Sequence, residues 1–187
     1  MLPLTDHNPR RTFPFVTYAL IALNVVAFLW ELSLGQDLQR VLFLMAFIPR
    51  KFFVPGHWDY DVMSTFFSMF LHGGFLHIGS NMLYLWIFGD NIEDDLGHAR
   101  YTGFYLATGV LASLAHVVST FTFGDNPFIP SLGASGAISG VMGGYLVMHP
   151  QRRVRVIMLR MLTTVPGFVA VGLWFLFQLI SAFGVIG

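Results

Sequence analysis

Cysteine is absent and charge is scarce. Without a thiol the chain forms neither a disulfide nor a thiolate metal site. Charged residues make up 11% of it, against about 25% in a soluble domain whose surface must be wetted. The 10 basic and 10 acidic side chains cancel, so no positive excess marks nucleic acid as a partner. No cluster has metal-ligand spacing, and neither an internal repeat nor a low-complexity segment is present. What is there is apolar: 55% of residues are hydrophobic, 20 of them Phe, and the mean hydropathy is +0.67. The length fits one domain over residues 1–187. The fold class that follows is all-α, a polytopic transmembrane helical bundle.

Crossing about 30 Å of hydrocarbon takes about 20 mostly apolar residues. The first such run extends from about Phe15 to Leu34, with Asn24 and Glu31 as polar interruptions. It follows Arg10 and Arg11 but lacks a small-x-small cleavage site, so it reads as an anchoring helix rather than a signal peptide. Glu31 is expected at the interface, without a special role. Gly35 to Phe70 mixes Asp37, Arg40, Arg50, Lys51, Asp59 and Asp61 with apolar patches, which suits short amphipathic pieces in the interface. A second helix is expected from after Gly73-Gly74 to about Ile92, closed by an acidic turn. A third should run from about Tyr101 to Phe121. A fourth runs from Ser135 to His149-Pro150, and a fifth from about Pro166 to Ile186, for five spans. Arg10 and Arg11, with the basic loop carrying Arg152, Arg153, Arg155 and Arg160, place the N-terminus and the 150–165 loop in the cytoplasm.

The fourth helix is short. Fifteen residues rise about 22 Å, less than the hydrocarbon thickness, so one end lies below the membrane surface. Gly136, Gly140 and Gly144 repeat every four residues, a spacing that lets helix backbones approach closely. Such a helix belongs at the centre of the bundle. The Pro130–Ala134 loop then descends into the membrane, which irregular backbone does only when buried in protein or facing a wet cavity. Ser135 therefore opens a helix beside such a cavity, where the dipole and free N–H groups favour developing negative charge.

His77 and Asn81, four apart, share one face of the second helix. Intramembrane His and Asn normally face a bundle interior or a cavity, and both side chains can donate hydrogen bonds to an anion. Packing alone would also account for the pair.

Together these residues resemble the rhomboid family of intramembrane serine proteases. The likeness begins at about residue 60 and rests on Leu71-His72-Gly73-Gly74-Phe75-Leu76-His77, then Asn81, Leu85-Trp86-Ile87-Phe88-Gly89, Glu93, Gly97 and Gly133-Ala134-Ser135-Gly136. The resemblance implies that Ser135 is a nucleophile forming an acyl-enzyme. It implies that His77 and Asn81, with the Ser135 N–H, form the oxyanion hole. Gly133 is then the small residue that lets the loop hug the site, Gly136 and His72 support it, and Glu93 is a structural acid tying the second helix to its neighbours. The family needs no cofactor or metal, and its partners are transmembrane protein substrates within the lipid bilayer.

The sequence departs from the family in two places. Trp58 is followed by Asp59, where the first loop of the family usually carries a Trp-Arg pair. The family's general base is a His on a sixth helix, whereas this sequence stops at Gly187; the expectation is a C-terminally truncated chain, inactive by itself, from a parent of six or more spans. His149 is 14 residues from Ser135, about 21 Å along the same helix. His7 and His98 belong to the cytoplasmic side and His57 to the outer loop, which leaves His116 as the alternative base. The other readings are an inactive rhomboid-like protein that binds membrane clients, and a small transporter subunit. The oligomeric state stays open.

Overall fold

The computed structural model describes residues 2–6, 11–56, 58–124, 126–158 and 161–184. His7, Arg10, His57 and Arg160, and the expected helix end at Ile186, lie outside them. Among the described residues the chain order is β1 (Leu2–Asp6), α1 (Phe15–Ser33), α2 (Leu38–Met45), α3 (Trp58–Ser68), α4 (Phe75–Leu96), α5 (His98–Phe123), α6 (Ser135–Met148), β2 (Arg153–Met158), β3 (Met161–Pro166) and α7 (Gly167–Gly184). Single turns of 3-10 helix flank α2 at Gly35–Asp37 and Lys51–Phe53. The segment expected to hold short interfacial pieces is thus α2, α3 and these two turns.

The bundle has an apolar surface as well as an apolar core, with polar groups buried inside it. Leu23, Val26 and Leu29 of α1, Leu111 and Val118 of α5 and Val147 of α6 face outward, whereas Thr17, Asn24, Glu31, Asn81, Asn91, Glu93 and Thr120 are buried. Apolar side chains outside and hydrogen-bonding groups inside are what a hydrocarbon solvent selects. The protein is a helical membrane bundle. By length and apolarity α1 and α5 are long enough to span, and α6 and the first part of α7 are shorter apolar helices.

The small-residue helix sits at the centre, with α6 packed on α4, α5 and α7. A Cβ on Gly136 would fall 2.6 Å from that of Ala112, and one on Gly140 would fall 2.4 Å from that of Thr108. Hydrogen in place of a side chain is what lets the α6 backbone press against Ala112 and Thr108 of α5 there. Gly144 makes ordinary contacts with Phe104 and Ile92, and Gly143 faces open space. The α6 helix ends before His149-Pro150, because proline cannot continue it.

A three-stranded antiparallel sheet, β1-β2-β3, closes one end of the bundle. Register runs from Leu2↔Ile157 to Asp6↔Val154, and from Arg153↔Pro166 to Met158↔Met161. This corrects the expectation of an irregular basic loop over 150–165. Arg153-Val154-Arg155-Val156 alternates with period two, and Val154 and Val156 are fully buried while both arginines face out. At the same end, Arg11 and Thr12 grip Asp94 through backbone and side-chain hydrogen bonds of 2.7–3.2 Å. Asp94 lies past the apolar part of α4. The Thr12 hydroxyl, then Arg11, hold its carboxyl at about 2, well below the usual carboxylate range.

Candidate active site

The loop before Ser135 is stitched to the far end of the bundle by backbone hydrogen bonds. Phe47 and Ser131 exchange a pair at 3.2 and 2.7 Å, Arg50 N–H donates to the Pro127 carbonyl at 3.0 Å, and Gly133 N–H donates to the Ser68 carbonyl at 2.7 Å. Irregular backbone is thereby satisfied within protein, as a buried loop requires. Gly133 adopts φ +115°, a conformation that favours glycine.

Gly133 is also where the loop meets α4. A Cβ there would stand 2.6 Å from Nε2 of His77 and 3.8 Å from its Nδ1, so the ring occupies the space a side chain would need and turns its Nε2 toward the loop. On its other edge the Gly73 N–H donates to Nδ1 at 3.4 Å. A neutral imidazole that accepts at Nδ1 carries its proton on Nε2. In that tautomer the nitrogen facing the Ser135 loop is the donor. His72, 2% exposed, packs edge-on against His77 with centroids 5.1 Å apart.

Asn81 lies one turn further along α4, 1% exposed. One N–H of its amide goes to the His77 carbonyl at 3.0 Å; the reverse amide orientation would set oxygen against oxygen. The second amide N–H is available to another acceptor, and the amide oxygen is buried without a partner. Ser135 is the first residue of α6 and half-buried; among the described residues no hydrogen bond to its hydroxyl is formed. Gly136 follows it against Ala112 of α5.

The remaining candidates sit elsewhere. Glu93 is 16 residues from His77, about 24 Å along α4. There its carboxylate accepts from the N–H groups of Val16 and Thr17 at 2.8 and 2.7 Å and from the Thr17 hydroxyl at 2.7 Å, and it pairs with His98 at 2.6 Å. These contacts satisfy the orphan donors at the start of α1. His149 pairs with Asp95 at that same end, 2.6 Å apart. His116 is one turn beyond Ala112 on α5 and half-buried. Among the described residues no three His, Asp or Glu side chains converge as metal ligands.

Glu31 has a partner where no special role was expected. It is 1% exposed, and its two carboxylate oxygens stand 3.0 and 3.2 Å from the His72 N–H. The signal was present, since an acid in an apolar run is costly enough to need a partner. The partner is a backbone group 41 residues away, which no side-chain pattern announces.

Residues 59–185 match the family model of the Rhomboid domain. The chain belongs to the rhomboid family. Curated rhomboid relatives include the mitochondrial Rhomboid protein 1 of Saccharomyces cerevisiae, 30% identical over 159 residues covering 81% of this chain and 43% of that protein. The mitochondrial presenilin-associated rhomboid-like protein of Homo sapiens is 31% identical over 150 residues, 79% of this chain and 36% of that one. Rhomboid protease GluP of Bacillus subtilis is 33% identical over 141 residues, 75% of this chain and 26% of that one. This rhomboid chain thus spans less than half the length of these relatives.

Proposed function

We propose that the protein carrying this chain is a serine endopeptidase that cleaves peptide bonds in or near the transmembrane segments of other membrane proteins. The observation that carries the reading is the meeting at Gly133 of the loop leading to Ser135 with the Nε2 edge of His77. In this reading Ser135 Oγ attacks the peptide carbonyl, the C=O π pair moves onto oxygen, and the hydroxyl proton passes to a base. Three groups stand near the oxyanion: His77 Nε2–H, the second Asn81 N–H and the Ser135 backbone N–H, which has no intrahelical acceptor. The N-terminal dipole of α6 adds to their field. Collapse of the intermediate breaks the C–N bond, the leaving nitrogen takes the proton from the protonated base, and an ester remains on Ser135, which water then hydrolyses. By the family resemblance the base is a His on a helix after α7; His116 is the alternative within the chain.

Five spans with a cytoplasmic N-terminus complete the proposal. The β1-β2-β3 end, with Arg11, Arg152, Arg153 and Arg155, faces the cytoplasm, and the Ser135 end opens to the outer face. Support comes from the alternation of the helices between those two ends. Glu93 is the structural acid of the cytoplasmic end, and His72, Gly133 and Gly136 support the site.

The test is cleavage of a transmembrane substrate by the full-length protein in lipid. Ser135→Ala abolishes cleavage while the bundle stays folded, and His77→Ala or Asn81→Ala slows it by about 10²–10³, the usual size of a lost oxyanion donor. Normal cleavage by Ser135→Ala would sink the reading.

A further inference from the structure

Glu31 is a buried acid that the reading above leaves unused. It stands in the last turn of α1, and the hydrogen bonds given for its carboxylate run to one group, the His72 N–H at 3.0 and 3.2 Å. The next N–H along the chain, that of Gly73, donates to His77 Nδ1 at 3.4 Å. Two consecutive peptide groups of the α3–α4 connection thus point at side chains of two different helices. Because each peptide group is planar, only the φ and ψ of His72 lie between the two, so the Glu31 anchor fixes one end of a two-dihedral link to the Gly73 N–H. On the far side of His77, Nε2 is the ring nitrogen nearest the Gly133 backbone.

We propose that Glu31 is a positioning residue for this site: by holding the His72 N–H it aims the Gly73 N–H at His77 Nδ1 and keeps the His77 proton on Nε2, the nitrogen facing the Ser135 loop. The role needs an acceptor oxygen at that reach, not a negative charge. The long Gly73–His77 contact is the reason an anchor matters, since a hydrogen bond of 3.4 Å does little by itself to fix a ring. Neutral histidine left to itself exchanges tautomers, and a ring protonated on Nδ1 would turn a lone pair toward the forming oxyanion. The proposal rests on the protease reading for its kinetic consequence but not for its structural one.

Two readouts on the full-length protein in lipid therefore go together. One is kcat and KM for a transmembrane substrate; the other is the His77 tautomer from the nitrogen shifts of ring-labelled histidine, assigned with His77→Ala. Glu31→Leu is expected to lower kcat about tenfold, part of the 10²–10³ of a full oxyanion-donor loss, with KM within about twofold, and to move the His77 proton partly onto Nδ1. Glu31→Gln keeps an acceptor at the same reach and is expected to retain the wild-type tautomer and kcat within about twofold. Should Glu31→Leu fail to fold, Glu31→Asp takes its place: it keeps the carboxylate, shortens the reach, and is expected to shift the tautomer. A wild-type tautomer in Glu31→Leu, or in the aspartate variant standing in for it, overturns the proposal. So does a glutamine variant as impaired as leucine, which would mean that the charge was needed. If the wild type cuts no substrate, or Ser135→Ala cuts as well as wild type, the protease reading falls while the tautomer measurement still decides the role of Glu31.

Discussion

Gly133 and His77 compete for the same space: a Cβ on residue 133 would stand 2.6 Å from the ring nitrogen Nε2. Gly133→Ala therefore meets two obstacles, the contact itself and a φ of +115° that side-chain-bearing residues rarely adopt. Strain of this kind costs on the order of 1–3 kcal/mol. Relief comes by pushing the ring off the loop or the loop off α4. The expected outcome is cleavage slowed at least tenfold with a lowered Tm, measured in one lipid preparation. Full activity in Gly133→Ala would show that the loop and ring separate without consequence.

The glycines of α6 make a paired prediction. At Gly140 even a methyl group collides with Thr108, 2.4 Å away, while at Gly143 nothing lies within 4 Å. Gly140→Leu should unfold the bundle or lower its Tm sharply. Gly143→Ala should be neutral or stabilising by about 0.5–1 kcal/mol, the gain in helix propensity over glycine. Thermal unfolding of both variants in the same detergent checks the pair, and equal effects would contradict this packing.

At the sheet end, Asp94→Ala removes the carboxylate that Arg11 and Thr12 share. Its expected effect is faster proteolysis of the N-terminal segment with little change in cleavage of substrate. Acid should act likewise. The Asp94 carboxyl is depressed to about 2 from its ordinary 3.8, so its contribution is complete above pH 4 and fades as pH falls toward 2. Limited proteolysis by an acid-active protease across that window reads it directly.

A fourth prediction concerns the base. A serine hydroxyl without a base is barely nucleophilic at neutral pH. His98 and His149 are engaged with Glu93 and Asp95 at the sheet end. In the full-length protein, labelling with a serine-directed fluorophosphonate is expected to vanish in Ser135→Ala and to persist in His116→Ala. Loss of labelling in both variants would instead make His116 the base.

The helices were legible because hydrocarbon solvent writes them as long apolar runs, and the start of α6 because Ser135 opens a glycine stripe no exposed helix would carry. The β2–β3 hairpin was not legible as strand. Its arginines are read first as a basic loop, and six-residue alternation is weak beside that. The partner of Glu31 was hidden for a different reason. An acid in the last turn of a span looks solvated, and only tertiary packing brings the α3–α4 connection to it. The pairing of Gly133 with His77 was visible only through the family resemblance, because 56 residues of sequence separate the two.

The sheet also sets an order of events in biosynthesis. Leu2 pairs with Ile157 and Asp6 with Val154, so β1 has no partner until some 150 residues more have been added. At about 5–20 residues per second that wait is roughly 8–30 s. During it α1, α4 and α5 have time to form while β1 is still unpaired. The strand thus waits for most of the chain, and its docking marks the emergence of β2, which follows α6.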